Sequence, residues 1–316
     1  MSNEKPFPET AAKPAVALIA GPTASGKSDC AVRLALALAE VGRHSVIINA
    51  DSAQVYADLA VLSARPTAGE MRGVPHRLFG TWDGAEACSA AEWSAAAKSE
   101  IAEAHGAGII PILVGGTGLY VRTLLEGIAP IPAIDSQIRA RVRALPVAEA
   151  HAQLTRADPE RAAALAPTDT TRVARALEVV LSTGRSLRNW QVDRVGGIAD
   201  SIALHPLLLL PDRAWLYTHC DQRFARMLEN GAIAEVGALL ARRLDPALPV
   251  MRAIGVLEIA SALAGQCTWA EAEARAAQAT RNYAKRQLTW FRHQPPPGWP
   301  RSPDPDLGQF ATLLRS

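Results

Sequence analysis

One stretch near the N-terminus constrains the chain more than any other. GPTASGKS, Gly21 to Ser28, matches the phosphate-binding loop pattern G-x-x-x-x-G-K-[ST] at every fixed position. It follows an apolar run of strand type, Val16 to Ala20, and precedes Asp29 to Val41, where apolar residues recur at helical spacing. In a strand, glycine loop and helix arrangement, the backbone N–H groups of the loop and the positive end of the helix point toward a bound anion. Lys27 adds a full charge, and the Ser28 hydroxyl can hold Mg²⁺. The motif predicts a bound phosphate chain without indicating whose phosphates they are.

Further apolar runs of strand type, His44 to Ala50 and Ile109 to Val114, alternate with helical segments. This order predicts an α/β fold of the P-loop NTPase kind, with a parallel sheet flanked by helices and right-handed crossovers. Ligands of such sheets bind beyond the carboxyl ends of the strands. The phosphate loop, Asp51 and Thr117 each come directly after a strand, so we expect all three at one edge, where they would build a site.

The roles of these residues stay open at this point. Asp51 can be a general base, a Mg²⁺ ligand or merely the cap of the next helix. Thr117 can bond a substrate or cap the helix that begins at Gly118. Arg223, in a helix expected over Tyr217 to Asn230, is a candidate anion clamp or an ordinary exposed arginine. Two function classes remain: an ATP-dependent kinase or other NTPase, and a transferase whose donor carries a pyrophosphate.

Domain organisation follows from a change in composition after Gly127. Residues 128–201 read as helical and contain arginines but no lysine. We interpret them as a helical insertion into an α/β core formed by residues 15–127 and 202–294, with tails at 1–14 and 295–316. Arginine suits phosphate and RNA better than lysine does, but acidic residues are interleaved, and on the residues alone a solvated bundle is favoured. Arg281 to Arg292, basic with interleaved aromatics, fits an RNA-tracking helix and a surface helix packed on the core equally well.

Composition limits the remaining classes. The net charge of +2 over 316 residues neither invokes nor excludes nucleic acid. The four cysteines form no C-x-x-C pair, so neither a zinc site nor a disulfide framework is indicated. No apolar run is long enough to span a membrane, and no secretion signal begins the chain, so we expect a cytoplasmic protein.

Several stretches together resemble the tRNA dimethylallyltransferase family, also called isopentenyltransferases. They occur in the family's order from about Ala15 to Arg292, and some are far more specific than the phosphate loop. The stretches are GPTASGKS, DSAQVY (51–56), PHRL (75–78), LVGGTGLYVRTLLEG (113–127), RVARALEV (172–179), DQRFARML (221–228), RAIG (252–255) and AKRQLTWFR (284–292).

The resemblance implies an activity that needs no ATP. A dimethylallyl group would pass from its pyrophosphate to the exocyclic N6 amine of the adenosine immediately 3′ of the anticodon, in tRNAs that read codons beginning with U. Mg²⁺ would be the cofactor, and the partners would be dimethylallyl pyrophosphate and the anticodon stem-loop of tRNA, with the protein a monomer. The adenine must leave its stack, so a channel between core and insertion is expected.

Individual roles also follow from the resemblance. Asp51 would orient the amine and take its proton, while Thr23 and Arg223 would grip the pyrophosphate. Residues expected to bind the donor are Gly21, Pro22, Thr23, Ala24, Ser25, Gly26, Lys27 and Ser28. Residues expected along the tRNA path are Asp51, Ser52, Ala53, Gln54, Thr117, Arg139, Arg172, Arg175, Arg252, Ala253, Ile254, Gly255, Lys285, Arg286, Gln287 and Arg292.

Two stretches depart from the family pattern. After RAIG the family usually continues with Tyr and a basic residue, whereas this chain has Val256, Leu257 and Glu258. The family's Gly-Thr-Ala-Lys-Pro is here LSARP, Leu62 to Pro66. Both changes alter expected contacts with tRNA and leave the phosphate loop and Asp51 intact.

Overall fold

The computed structural model describes residues 12–315, so most of the expected N-terminal tail lies outside the described residues. The strands are β1 Ala15–Ala20, β2 Ser45–Asn49, β3 His76–Arg77, β4 Ile110–Gly115, β5 Gly127–Ile128, β6 Val195–Gly196, β7 Ala203–Leu209 and β8 Arg301–Ser302. The α-helices are α1 Lys27–Glu40, α2 Ala68–Met71, α3 Ala90–Gly106, α4 Gly118–Glu126, α5 Ser136–Ala144, α6 Val147–Ala157, α7 Pro159–Ala163, α8 Thr170–Thr183, α9 Leu187–Trp190, α10 Arg213–Glu229, α11 Ala232–Ala241, α12 Val256–Leu263, α13 Trp269–His293 and α14 Ala311–Arg315.

The main sheet is parallel throughout and has the strand order β3-β2-β4-β1-β7-β8. The predicted P-loop α/β class is confirmed. Strand β1 lies between β4 and β7, with Ala20 paired to both Gly115 and Leu208. Its residues from Val16 to Ala20 have no exposed surface, which explains the continuous apolar run. The phosphate loop therefore leaves from the middle of the sheet, at the carboxyl edge.

The chain divides into two compact units. One unit runs to Leu124 and resumes at Ala199, and the other is the contiguous segment Leu125–Ile198, close to the 128–201 expected for an insertion. In the second unit, helices α5 to α9 pack around a core that includes Val142, Leu154 and Leu177. Strands β5 and β6 form a short antiparallel pair at its chain ends.

The C-terminal segment differs from the tail expected for 295–316. Strand β8 pairs with β7 through Leu208 and Arg301, and the Phe310 side chain is fully buried in the core formed with β1, α1 and β4. Strand β8 could not be predicted from sequence because it has only two residues and lies among prolines, so it shows no alternating or periodic pattern.

Helices α10 and α13 pack against each other in the first unit. Leu216 and Cys220 of α10 meet Ala284 and Leu288 of α13 in one buried cluster. This pairing brings functional side chains from two distant parts of the sequence toward the phosphate loop. Among the helices of residues 12–315, none combines the length and apolarity that crossing a bilayer requires.

Candidate active site at the phosphate loop

The phosphate loop adopts a tightly curved backbone. Gly26 has φ of 82°, and Ala24 also takes a left-handed conformation with φ of 63°. A side chain at Gly21 would place its Cβ 2.4 Å from the carbonyl oxygen of Leu209, so only glycine lets the loop leave the sheet beside β7. The Ser25 hydroxyl is buried without a hydrogen-bond partner among the described residues. A buried unsatisfied hydroxyl is costly, and an anion held by the loop would satisfy it.

Lys27 is almost completely buried beneath this loop. Its Nζ donates to the carbonyl oxygen of Pro22 at 3.2 Å. Burial lowers the pKa of Lys27 from 10.5 to about 8, Asp51 partly opposes that shift, and Arg223 adds to it. A bound polyphosphate would supply negative charge next to this ammonium and so stabilise its protonated form.

Asp51 is held rigidly at the end of β2. Its backbone N–H donates to Asn49 Oδ1 at 2.9 Å, and Asn49 Nδ2 donates back to the Asp51 carbonyl at 3.0 Å. The Asp51 Oδ1 accepts the N–H of Ala53 at 3.0 Å. Asn49 is fully buried and was missed from sequence, although a lone amide at the end of an apolar strand is a signal for such a role.

The phosphate loop and Asp51 both approach Gly116, the residue after β4. A Cβ there would lie 3.1 Å from the Gly21 carbonyl oxygen and 3.3 Å from Asp51 Oδ2. Thr117, the next residue, accepts the backbone N–H of Ser52 at 2.9 Å through Oγ1. The structure thus brings the phosphate loop, Asp51 and Thr117 together at one edge of the sheet.

Gln287 joins this meeting point from α13. Its Oε1 accepts the N–H of Thr23 at 2.8 Å, and its Nε2 donates to the carbonyl of Gly116 at 2.8 Å. The side chain is 6% exposed, so both ends of its amide are used inside the protein. Expected on the tRNA path, Gln287 instead braces the phosphate loop against β4.

Gln54, also expected on the tRNA path, is likewise buried. Its Nε2 donates to the carbonyl oxygens of Ser63 and Ala64 at 3.0 and 2.8 Å. These bonds tie the residues after β2 to a segment further along the same connection. Gln54 therefore holds protein backbone.

Arg223 reaches the loop from α10. Its Nη2 donates to the hydroxyl of Thr23. Burial lowers the pKa of its guanidinium, but arginine remains protonated at neutral pH, so a fixed positive charge stands beside Lys27 and Thr23. Arg223 therefore lies beside the phosphate loop, and its role as an anion clamp stays a prediction.

A cavity of about 340 Å³ opens at this edge, and every residue lining it belongs to the first unit. Its polar and charged lining residues include Thr23, Asp51, Ser52, Ser63, Arg223, Arg252, Thr280, Tyr283 and Arg286. Apolar side chains come mainly from the 59–62 segment, α10 and the residues before α12: Leu59, Leu62, Phe224, Met227, Pro249, Ala253 and Ile254. The lining can therefore contact both charged and hydrocarbon groups of a bound molecule.

Other residues expected to contact tRNA lie outside this cavity. Lys285 and Arg292 are exposed on α13. In the second unit Arg139 and Arg172 are exposed, while Arg175 lies 3.8 Å from the buried carboxylate of Glu178. Gly255 is buried, has φ of 97° and is the N-cap residue of α12.

The aromatic residues of α13 fit partly a helix packed on the core and partly a helix that contacts a ligand. Phe291 is fully buried, and the Trp290 ring packs where a Cβ of Gly118 would otherwise lie. Tyr283 lines the cavity, and burial together with the Asp51 charge raises its pKa, so its hydroxyl stays protonated and can donate. Sequence spacing on α10 could have found two further lining residues, since Met227 follows Arg223 by four positions and Phe224 by three.

Comparison with known proteins decides the family. A family model described as IPP transferase matches residues 54–294, and one described as Isopentenyl transferase matches residues 14–87. A tRNA dimethylallyltransferase of Erythrobacter litoralis is 69% identical over 289 residues, which cover 92% of this chain and 91% of that protein. The chain belongs to the tRNA dimethylallyltransferase family. A second relative, from Sphingopyxis alaskensis, carries the same name and is 65% identical over 286 residues, covering 90% of this chain and 92% of its own.

Solved structures agree with the sequence relatives. The full-length tRNA isopentenylpyrophosphate transferase of Bacillus halodurans has a TM-score of 0.66 at 33% identity, over 96% of this chain and 93% of that one. A eukaryotic dimethylallyltransferase acting on tRNA has a TM-score of 0.75 at 27% identity, over 88% of this chain and 70% of its own. The resemblance drawn from the motifs is confirmed, and the chain is a prenyltransferase of this family rather than the kinase kept as the alternative.

Proposed function

We propose that the protein transfers a dimethylallyl group from dimethylallyl pyrophosphate to the N6 amine of the adenosine immediately 3′ of the anticodon, in tRNAs that read codons beginning with U. The observation that carries this proposal is the mixed lining of the cavity. Charged groups, among them Asp51 and Arg223, line it together with Thr23 of the phosphate loop and with leucine, phenylalanine and methionine side chains, a combination that suits an allylic pyrophosphate. The buried carboxylate of Asp51 lies at the same edge, where an incoming amine needs a base.

The reaction is a substitution at the allylic carbon. The adenine N6 forms a bond to C1 of the dimethylallyl group while the bond from C1 to the pyrophosphate oxygen breaks, and that electron pair leaves with the pyrophosphate. Backbone N–H groups of the loop, Lys27, Arg223 and the Thr23 hydroxyl stabilise the growing charge on the leaving group. The proton that N6 loses passes to the Asp51 carboxylate. Asn49 holds the Asp51 backbone and the Ala53 N–H holds Oδ1, which would leave Oδ2 to accept this proton.

The oxygen atoms present fit a magnesium ion. Residues 12–315 contain no cluster of three or more His, Cys, Asp or Glu side chains that would form an all-protein cage. Mg²⁺ bound to phosphates needs only one or two protein oxygens, and the Ser28 hydroxyl is of the right type. When bound, the ion would supply further neutralisation of the pyrophosphate charge.

The RNA side of the proposal uses the basic residues. Arg252 and Arg286 at the cavity, Lys285 and Arg292 on the exposed face of α13, and the arginines of the second unit would neutralise RNA phosphates. We also propose that the protein acts in the cytoplasm, as a monomer.

The decisive experiment offers labelled dimethylallyl pyrophosphate, Mg²⁺ and an anticodon stem-loop. Label should enter the RNA carrying adenosine next to the anticodon, and not a matched RNA with guanosine there. Asp51→Asn should reduce transfer at least about 100-fold while leaving donor affinity within about threefold. Asp29→Asn, which changes an exposed carboxylate of α1, is the control and should retain activity. Phosphate transfer from labelled ATP without labelling of the RNA would instead support the kinase alternative.

A further inference from the structure

The segment from Leu59 to Ser63 forms one wall of the cavity. Leu59, Leu62 and Ser63 all line it, and Leu59 and Leu62 are buried. The segment lies between β2 and α2 and contains no helix or strand. Such a connection would normally be mobile, so its position needs a separate cause.

Glu235 of α11 supplies that cause. Its carboxylate accepts three consecutive backbone N–H groups, from Ala60 at 2.5 Å, Val61 at 2.8 Å and Leu62 at 2.9 Å. Hydrogen bonds to a charged acceptor are roughly twice as strong as neutral ones. Together with the bonds from Gln54 to the next two carbonyls, they fix the backbone of this wall on both sides.

The Leu62 side chain is then wedged between α10 and the start of α12. A Cβ at Gly255 would lie 2.8 Å from Leu62 Cδ2 and 3.1 Å from Phe224 Cε2, so these groups are already in close contact. Leu62 cannot move outward without displacing Phe224 or the turn at Gly255. Leu62 is therefore a firmly held part of the apolar lining.

We propose that Leu62 determines the size of the prenyl group that the enzyme accepts, with Glu235 as the residue that positions it. This rests on the proposed function, because it assigns the hydrocarbon end of the donor to the apolar lining residues around Leu62. A dimethylallyl group fits against Leu62, whereas a geranyl group carries a further isoprene unit that this wall excludes. Shortening Leu62 to alanine removes three carbons from the wall and makes room for part of that unit.

The test measures kcat/KM for dimethylallyl and geranyl pyrophosphate with one anticodon stem-loop. In Leu62→Ala the preference for dimethylallyl over geranyl should fall at least about tenfold, the scale of discrimination by a few methylene groups in an apolar pocket. Leu62→Val, a milder change, should give an intermediate preference and serves if the alanine variant does not fold. Glu235→Gln should lower the preference by about threefold and raise the KM for donor, with kcat and the KM for RNA within about twofold of wild type.

Two control variants separate this role from a general loss of stability. Leu239→Ala removes a buried leucine of the same helix α11 that does not line the cavity. Glu271→Gln weakens another carboxylate that accepts a backbone N–H, that of Thr268 at 2.8 Å, at the start of α13. Both should leave the donor preference unchanged. The double variant Leu62→Ala with Glu235→Gln should match Leu62→Ala alone, because both substitutions act through one wall.

Two negative results have different meanings. If wild type transfers dimethylallyl but neither Leu62→Ala nor Leu62→Val shifts the preference by more than about twofold, Leu62 does not set donor size and this inference is overturned. If wild type labels the RNA with neither donor, the proposed function fails as well.

Discussion

Replacing Lys27 with methionine should abolish tight donor binding and yet make the protein more stable at neutral pH. Lys27 is 8% exposed, and burial lowers its pKa from 10.5 to about 8. A shift of that size corresponds to about 3 kcal/mol of unfavourable free energy for the charged form in the folded state. Methionine has a similar length and no charge, so Lys27→Met should recover up to about 3 kcal/mol of unfolding free energy at pH 7.

The sign of the pH dependence follows from proton linkage. Between pH 8 and 10.5 the unfolded chain keeps the Lys27 proton and the folded chain has lost it. The unfolded state then binds more protons, so the stability of wild type rises with pH across this window. Above it, folded and unfolded lysine are both neutral, and the advantage of Lys27→Met should disappear.

The assay is urea denaturation of wild type and Lys27→Met in steps from pH 7 to pH 10.5, with donor-analogue binding measured beside it. The difference in unfolding free energy should shrink steadily above pH 8. Donor affinity of wild type should decline over the same range, by up to about tenfold per pH unit, while the variant's weak binding stays comparatively flat. A variant less stable than wild type at pH 7, with a gap that does not change with pH, would refute the argument.

Three further predictions address the scaffold and the RNA side. Gln287→Leu leaves two backbone groups unsatisfied and should lower the unfolding free energy by about 2–4 kcal/mol in urea denaturation, so a loss below about 1 kcal/mol would mean the brace is unimportant. Lys285→Ala combined with Arg292→Ala should weaken stem-loop binding and reduce its salt slope by about two, while Arg275→Ala at the other end of α13 should not; equal slopes in all three proteins would contradict a phosphate contact. Phe310→Ala should cost about 3–5 kcal/mol of unfolding free energy, whereas a mobile tail would tolerate it.

The parts of the fold that could be predicted are those with a strong local pattern. The apolar runs around Ile19, Ile47 and Leu113 have no polar alternation because both faces of the sheet are covered. These runs could therefore be predicted as buried strands of a parallel sheet. The meeting of the phosphate loop with Asp51 and Thr117 followed from the single rule that parallel strands share a carboxyl edge.

The remainder depended on contacts between distant residues. The brace from Gln287 to Thr23 spans 264 positions, and the Glu235 bonds to the 60–62 segment span about 174, so no window of sequence contains them. Gln287 lies in a stretch rich in basic residues, which favours an RNA contact. Nothing in that stretch reveals that its side chain is buried. Strand β8 was invisible for a different reason, since two residues among prolines carry no period.

The placement of β1 has a consequence for how the protein is synthesised. The strand that carries the phosphate loop is synthesised well before its neighbour β7, which begins almost 190 residues later, at Ala203. The Leu125–Ile198 unit is continuous and can fold on emergence, whereas β1 waits with one edge unpaired. The donor site is thus completed only after β7, α10 and α13 have been synthesised, and until β7 is available a nascent chain would be exposed to aggregation through that open edge.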